Sequence, residues 1–391
     1  MKIGRWARVL LAGMPLLAGC KDFWQAPTST TTTPTTTASS GVFYVLNQGT
    51  KQIAAYSIVS GTLTAVTGSP YTFTAAPYSI AIAPNGGFLY VGTAVGVYVY
   101  TIGSGGALTV GNNGSVISTD QAYTMHVDAT SSWLVEAVSG VAQLNAIPIS
   151  STTGLFNSSS SEKVVTLPAA TVQQLAMSPA DSSTCTDCYV FVALGSGGTA
   201  VVPFNPTNTD PFGTATTIAL KNPAGGADTV AVDPSNRLLY VGESAATSGT
   251  QSGGLRAFTI GATITEVTGS PYGSGGTGPS AILPTASGDY VYVANKAVSG
   301  SSTGNITGFS FTSTGTVYSL TALSSTASAG TSPIGLAEDS QGTFVLVVDS
   351  GGSPDLEAYT FDSTTAGKLD SALTSSTGTD PVQASAIAAL P

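Results

Sequence analysis

Hydrophobic and polar positions in this chain fall into strand-length runs that recur to its end. The clearest run is Pro77 to Gly92, PYSIAIAPNGGFLYVG. Ser79 to Ala83 alternates small and apolar residues, as an inner strand in a crowded place would. Pro84-Asn85-Gly86-Gly87 is a turn, because Asn and Gly tolerate positive φ and Pro restricts the chain before the reversal. Phe88 to Val91 is aromatic and β-branched, which suits a pleated, buried surface. Seven segments carry such a second-strand core: Phe43-Tyr44-Val45, Leu89-Tyr90-Val91, Trp133-Leu134-Val135, Tyr189 to Val192, Leu239-Tyr240-Val241, Tyr290 to Val293 and Phe344 to Val347. They are spaced roughly 44 to 57 residues apart, the period of four-stranded propeller blades or just above it.

Each core is followed by a third strand ending in aromatic plus apolar, as in Ala55-Tyr56-Ser57-Ile58 and Ala358-Tyr359-Thr360-Phe361. A Gly-rich turn and a polar outer strand come next. Six cores have a first strand upstream. The core at Phe43 has none, and Pro381 to Pro391, PVQASAIAALP, is a first strand with no core after it. The pattern therefore predicts an all-β, seven-bladed β-propeller of four-stranded antiparallel blades. The C-terminal strand pairs into the first blade and closes the ring, removing an open edge.

Residues 1–19 have a basic start, an apolar stretch from Val9 to Ala18 and small residues before Cys20, the pattern of a secretory signal. Leu17-Ala18-Gly19-Cys20 resembles a bacterial lipobox, which implies cleavage before Cys20 and lipidation of its sulfur. An ordinary signal peptide with an incidental cysteine is the alternative. Residues 20–41 then form a lipid-anchored tether, rich in Thr, Ser and Pro, with almost nothing to bury. The propeller spans 42–391. These features place the protein outside the cytoplasm, anchored to the cell envelope. Lys21 after the anchor, where inner-membrane lipoproteins of enteric bacteria carry Asp, leans toward the outer membrane.

Only 8% of the 391 residues are charged, and acids outnumber bases 21 to 11. So acidic a chain with scattered bases argues against nucleic acid as a partner. Cys185-Thr186-Asp187-Cys188 lies in a turn rather than at a helix start, so a short structural disulfide in an oxidising compartment is preferred to a redox pair; a zinc half-site or free thiols are the alternatives. No cofactor is implied, and a single histidine excludes an imidazole-rich metal site.

Thr67-Gly68-Ser69-Pro70-Tyr71 recurs as Thr268-Gly269-Ser270-Pro271-Tyr272. With the inner PYSIAIAPNGGFLYVG and the AYTF-type third strand, the chain resembles the seven-bladed β-propeller lactonase family. That family includes 6-phosphogluconolactonase-like proteins and carboxy-muconate lactonising enzymes, and it shades into YVTN repeat proteins. The resemblance covers about 42–391 and implies ligands at one mouth of the central channel. Loops entering inner strands place Tyr78, Tyr123, Asp228, Ser280 and Gln383 there. Loops leaving second strands place Asn47, Gln48, Glu136, Glu243, Asn295, Lys296 and Asp349 there. Such polar residues converging on one mouth are expected to bind a small molecule, a carbohydrate or a protein. The family's active members are associated with His, Glu and Arg around the mouth, the His directly after the Pro that opens an inner strand. Here that slot holds Tyr78, and Tyr123 in the next repeat. The single histidine, His126, aligns with Ala81. Lactone hydrolysis by this chain would therefore draw on His126, Glu243 and Arg256. A non-catalytic binding or scaffold role is the expectation, with lactone hydrolysis as the alternative.

Overall fold

Strands with one buried edge and two buried faces read as near-continuous apolar runs. The second strands of this chain do so: Val42–Asn47, Phe88–Thr93 and Tyr189–Ala193 are buried at every position. A computed structural model describes residues 41–391 apart from 60, 139, 158–159, 180–186, 247–252, 299, 353–354 and 376–382; the side chains of 372–375 are also outside the description. The signal, Cys20 and the tether therefore lie outside the described residues. Those described belong to the unit spanning 39–391. No helix among them is long and apolar enough to cross a membrane.

The strands form antiparallel blades, each with an inner, second, third and outer strand. Blades 2 to 5 take these strands in chain order, starting at Pro77–Ile82, Ala122–Val127, Gln174–Met177 and Gly226–Val232. Blades 6 and 7 share one seven-stranded sheet, because Val317–Glu338 runs on from the outer position of blade 6 to the inner position of blade 7. Blade 1 takes its inner strand from the far end of the chain. Ala384–Ala389 pairs antiparallel with Val42–Asn47, with Phe43 opposite Ala389 and Val45 opposite Ile387. The expected closure is thus present.

The apolar core lies between blades, not at the centre. Seven buried clusters follow one another around the ring. One of them, with Phe43, Val45, Leu346, Val348 and Ala384, joins blade 7 to blade 1.

A repeated hydrogen bond stitches these interfaces. Tyr44 Oη donates to Gly106 O at 2.8 Å, Tyr90 Oη to Gly154 O at 2.9 Å, Tyr189 Oη to Gly261 O at 2.9 Å and Tyr292 Oη to Gly367 O at 2.7 Å. Each runs from a second strand to the turn before the next blade's outer strand. Trp133 Nε1 makes the same link to Pro206 O at 3.0 Å. The turn must come close: Gly106 sits at φ +83°, and a Cβ there would meet Val42 Cγ1 at 2.5 Å. These tyrosines read in sequence as pleated apolar residues, but their hydroxyls are what ties blade to blade.

The inner hairpins are capped at the opposite mouth. Asp128 accepts from the Ser132 and Trp133 amides, Asp233 from the Arg237 amide and Asp339 from those of Thr343 and Phe344. Asp339 is buried. The two Thr-Gly-Ser-Pro-Tyr segments are structural too. Each has a cis Ser–Pro peptide, and the Ser69 and Ser270 hydroxyls accept from the amides of Ala55 and Ala257. Cys188 is buried and disulfide-bonded, while Cys185 falls outside the described residues.

Candidate functional site

The central channel opens as a cavity of about 430 Å³. Its mouth is built by one backbone device. In six blades the pairing of inner and second strands slips by one residue near the start of the inner strand. A β-bulge of this kind re-aims the extra side chain. The skipped residues are Ser385, Tyr78, Tyr123, Asp228, Ser280 and Ile334, and all six line the cavity. Blade 4 has no slip, and Gln173 holds the corresponding place there.

This ring is the slot after the strand-opening Pro in which the resemblance implies a histidine. It holds two tyrosines, two serines, an amide, a carboxylate and an isoleucine. Gln48 and Lys296, the first residues beyond the end of the apolar second-strand run, reach the same mouth. Behind the ring, inner strands are tied to one another by side chains. Ser79 Oγ donates to Ala122 O at 2.7 Å, Ser280 Oγ to Pro333 O at 2.6 Å, and Gln174 accepts from Thr229 Oγ1 and the Val230 amide.

Of the sequence-predicted mouth residues, Tyr78, Tyr123, Asp228, Ser280, Gln48 and Lys296 line the cavity. Asn47, Glu136, Asn295 and Asp349 do not: each is at most 2% exposed. They belong to second strands, which sit one strand back from the channel, so their side chains turn into the blade interfaces. Gln383 is likewise not a lining residue; Ser385 takes that role because the bulge falls two residues later.

The expected catalytic set is not brought together. His126 lines the channel, but Glu243 and Arg256 are buried inside blade 5, outside the channel lining. Arg256 Nη1 donates to Glu243 Oε1 at 2.7 Å and to Ala219 O at 2.8 Å. Its Nε and Nη2 form two 3.0 Å bonds to the Glu266 carboxylate, and the guanidinium lies 4.7 Å from the centre of the Phe258 ring. Glu243 also accepts from the Lys221 amide at 3.0 Å. Both groups are spent on each other, as structural ion pairs are.

His126 is enclosed by blades yet turns exposed surface to the channel. At its level in the register Ala81, Ala231 and Ala337 stand in blades 2, 5 and 7, and Leu283 in blade 6. Nδ1 lies 2.8 Å from Val127 O, and a carbonyl only accepts, so the proton is on Nδ1. Burial lowers the imidazole pKa, opposed by the Val127 carbonyl and the Asp128 charge. The ring is therefore neutral at pH 7. Nε2 has no hydrogen-bond partner among the described residues. Asp228 is raised by burial, against the opposing Ser244 hydrogen bond and the Lys296 charge. Among the described residues, no group of three or more His, Cys, Asp or Glu is arranged to hold a metal ion.

Asp349 marks a buried acidic end of blade 7. Burial and then the Glu357 charge push its carboxyl up to about 8, the Gly330 amide opposing them. A carboxyl raised in the folded state is held protonated while the unfolded chain releases its proton. Stability then falls as pH rises from about 4 to about 8 and is flat beyond. Asp349→Asn is expected to stabilise the fold at pH 7 by about 4 kcal/mol and to have little effect below pH 4. Thermal unfolding at pH 4, 5.5 and 7 checks this; an equal or destabilising effect at all three would contradict it.

The family model "Lactonase, 7-bladed beta-propeller" matches residues 46–385, and the chain belongs to that family. No curated protein is a match. Among solved structures, the periplasmic gluconolactonase of Pseudomonas aeruginosa is 16% identical with a TM-score of 0.66, over 90% of this chain and 99% of that one. A candidate 6-phosphogluconolactonase from Bacteroides fragilis is 14% identical, also at 0.66, over 92% and 100%. A protein of unknown function from Desulfotomaculum acetoxidans is 12% identical at 0.63, over 90% and 99%. At these identities the likeness is one of fold.

Proposed function

We propose that this protein is an envelope binding propeller that holds a small, polyhydroxylated, unphosphorylated molecule in its channel mouth. The single observation that carries the reading is the bulge ring. Six blades use the same backbone slip to present a side chain to one cavity, and those side chains are four hydroxyls, a carboxylate and an isoleucine rather than a catalytic set. Ligand sites of this size orient polar molecules with a few convergent donors and acceptors. Lys296 is the one Lys or Arg among the lining residues, too little to hold a phosphate dianion. The N-terminal signal and Cys20 support export and a lipid anchor, with the tether lifting the ring from the membrane.

Calorimetry of the full chain in detergent with D-glucose, D-gluconate and 6-phosphogluconate tests this. Glucose or gluconate is expected to bind, more weakly by tenfold or more in Lys296→Ala or Asp228→Asn, and more tightly than 6-phosphogluconate. No binding of either unphosphorylated probe, or preference for the phosphorylated one, would contradict the reading.

A second reading is favoured by one observation. His126 is a neutral imidazole in the channel with Nε2 free to accept a proton, the state a general base needs. Together with family membership this supports hydrolysis of a small sugar or carboxylic lactone. It lacks a partner group: Lys296 is the only side chain of the lining able to supply a full positive charge to an oxyanion at neutral pH.

A further inference from the structure

On the flank of the ring, away from the channel, a second cavity of about 650 Å³ lies between blades 1 and 2. Its lining includes four aromatic residues, Tyr71, Phe73, Tyr98 and Tyr100, with Thr72, Thr74 and Thr109 among them. Phe73 is at the centre, 6.1 Å from the Tyr98 ring and 6.0 Å from that of Tyr100. Among the described residues no charged side chain is part of the lining, although Lys51 Nζ donates to Thr74 O at 3.5 Å beside it.

Part of this wall is structural. Tyr71 Oη donates to Thr67 O at 3.0 Å and accepts from the Leu108 amide at 2.9 Å, and Tyr100 is buried. The other half is not, as the chain's own second copy of the motif demonstrates. Between blades 5 and 6, Tyr272 again bonds back, to Thr268 O at 3.3 Å, and again packs on an aromatic ring, Phe309, at 6.1 Å. Phe309 matches Tyr100, each two residues beyond the partner of the central second-strand valine. By that register the counterpart of Tyr98 is Thr307, and by the motif the counterpart of Phe73 is Ser274. The same turn and interface therefore form with Ser and Thr where blades 1 and 2 carry Phe and Tyr. Both extra aromatics are half-buried, and the Tyr98 hydroxyl has no hydrogen-bond partner among the described residues. The repeat does not need them, and each leaves apolar surface in water.

We infer that this groove is a binding site for a neutral oligosaccharide chain. A pyranose presents an apolar C–H face and a rim of hydroxyls. Aromatic rings flanked by threonine hydroxyls match both, and an uncharged wall selects a neutral ligand over an acidic one. The inference is independent of the channel reading: it uses other residues and other blades.

The test is calorimetry of the full chain with cellohexaose, maltohexaose and chitohexaose. At least one is expected to bind with a millimolar or lower Kd. The variant Phe73→Ser/Tyr98→Thr installs the pair that the chain already tolerates in its other copy, so it is expected to fold with a Tm within a few degrees of the parent. Its affinity is expected to fall tenfold or more, while Lys296→Ala at the channel leaves oligosaccharide binding unchanged. Failure of all three sugars to bind, or binding that the double variant leaves intact, would overturn the inference. So would a synthetic peptide of residues 27–40 that binds the groove through Phe73 and Tyr98, since the chain's own tether would then be the occupant.

Discussion

A chain ending at residue 382 is expected not to form a cooperative fold. Deleting 383–391 removes the inner strand of blade 1 and leaves one edge of Val42–Asn47 unpaired. An edge so exposed costs its hydrogen bonds and invites association with other chains. The packing loss adds to this. Ala384, Ile387 and Ala389 belong to the cluster between blades 7 and 1, and Ala386 and Leu390 to that between blades 1 and 2. Two of seven interfaces are opened at once, a loss on the order of 5 to 10 kcal/mol, comparable with the whole stability of a domain. Circular dichroism melts and gel filtration are expected to show a broad or absent transition and aggregates. Ile387→Asp tests the same contact with the strand retained, and is expected to lower Tm by more than 5 °C. A truncated chain that melts cooperatively at the parent Tm would show that the closing strand does not hold the ring.

The second large effect is at Arg256. Arg256→Ala strips the counter-charge from Glu243, which is 1% exposed, and leaves Glu266 only its 3.5 Å pairing with Lys221. Breaking a buried ion pair on one side typically costs about 3 to 5 kcal/mol, because a charge is left without solvent or partner. Arg256→Met combined with Glu243→Gln removes both charges of the inner pair and is expected to cost less than Arg256→Ala alone. That inequality separates a structural network from a catalytic one, in which the double variant would be at least as damaging to activity and neither need affect the melt. Urea unfolding of the two variants measures it. A stability of Arg256→Ala within about 1 kcal/mol of the parent would contradict the assignment.

How much was legible beforehand divides along physical lines. The blade count and the closing strand were readable because Phe43 and Pro381 to Pro391 are complementary omissions in a repeat, and a repeat is a property of sequence. That Tyr78 and Tyr123 reach the channel followed from the same register. What sequence could not give was the bulge. One skipped residue decides which neighbour faces the cavity, so Gln383 was expected where Ser385 stands, and Gln173 was missed. Among the leaving positions Gln48 and Lys296 do reach the mouth, but four others failed for a related reason: Asn47, Glu136, Asn295 and Asp349 close the apolar run of second strands, where a polar residue suggests the surface. In this ring the surface begins one residue later, at Gln48 and Lys296. The pairing of Glu243 with Arg256 was hidden because they sit on separate strands, and only the register of blade 5 puts Val241 opposite Arg256. The hairpin-capping role of Asp128, Asp233 and Asp339 did leave a signal, an Asp five residues before Trp133, Leu238 and Phe344, and the tyrosine stitches left none beyond their aromatic character.

The chain has the family's fold, and we propose that the ring at its channel mouth binds a ligand without catalysing hydrolysis. Hydrolysis of D-glucono-1,5-lactone by the full chain at pH 7, compared with the spontaneous rate, tests it most directly. A ring that only binds gives no acceleration above that rate, and the same result for His126→Ala. A clear acceleration by the parent chain that His126→Ala abolishes, with the variant's Tm unchanged, would contradict it and establish the imidazole as the base of an active lactonase.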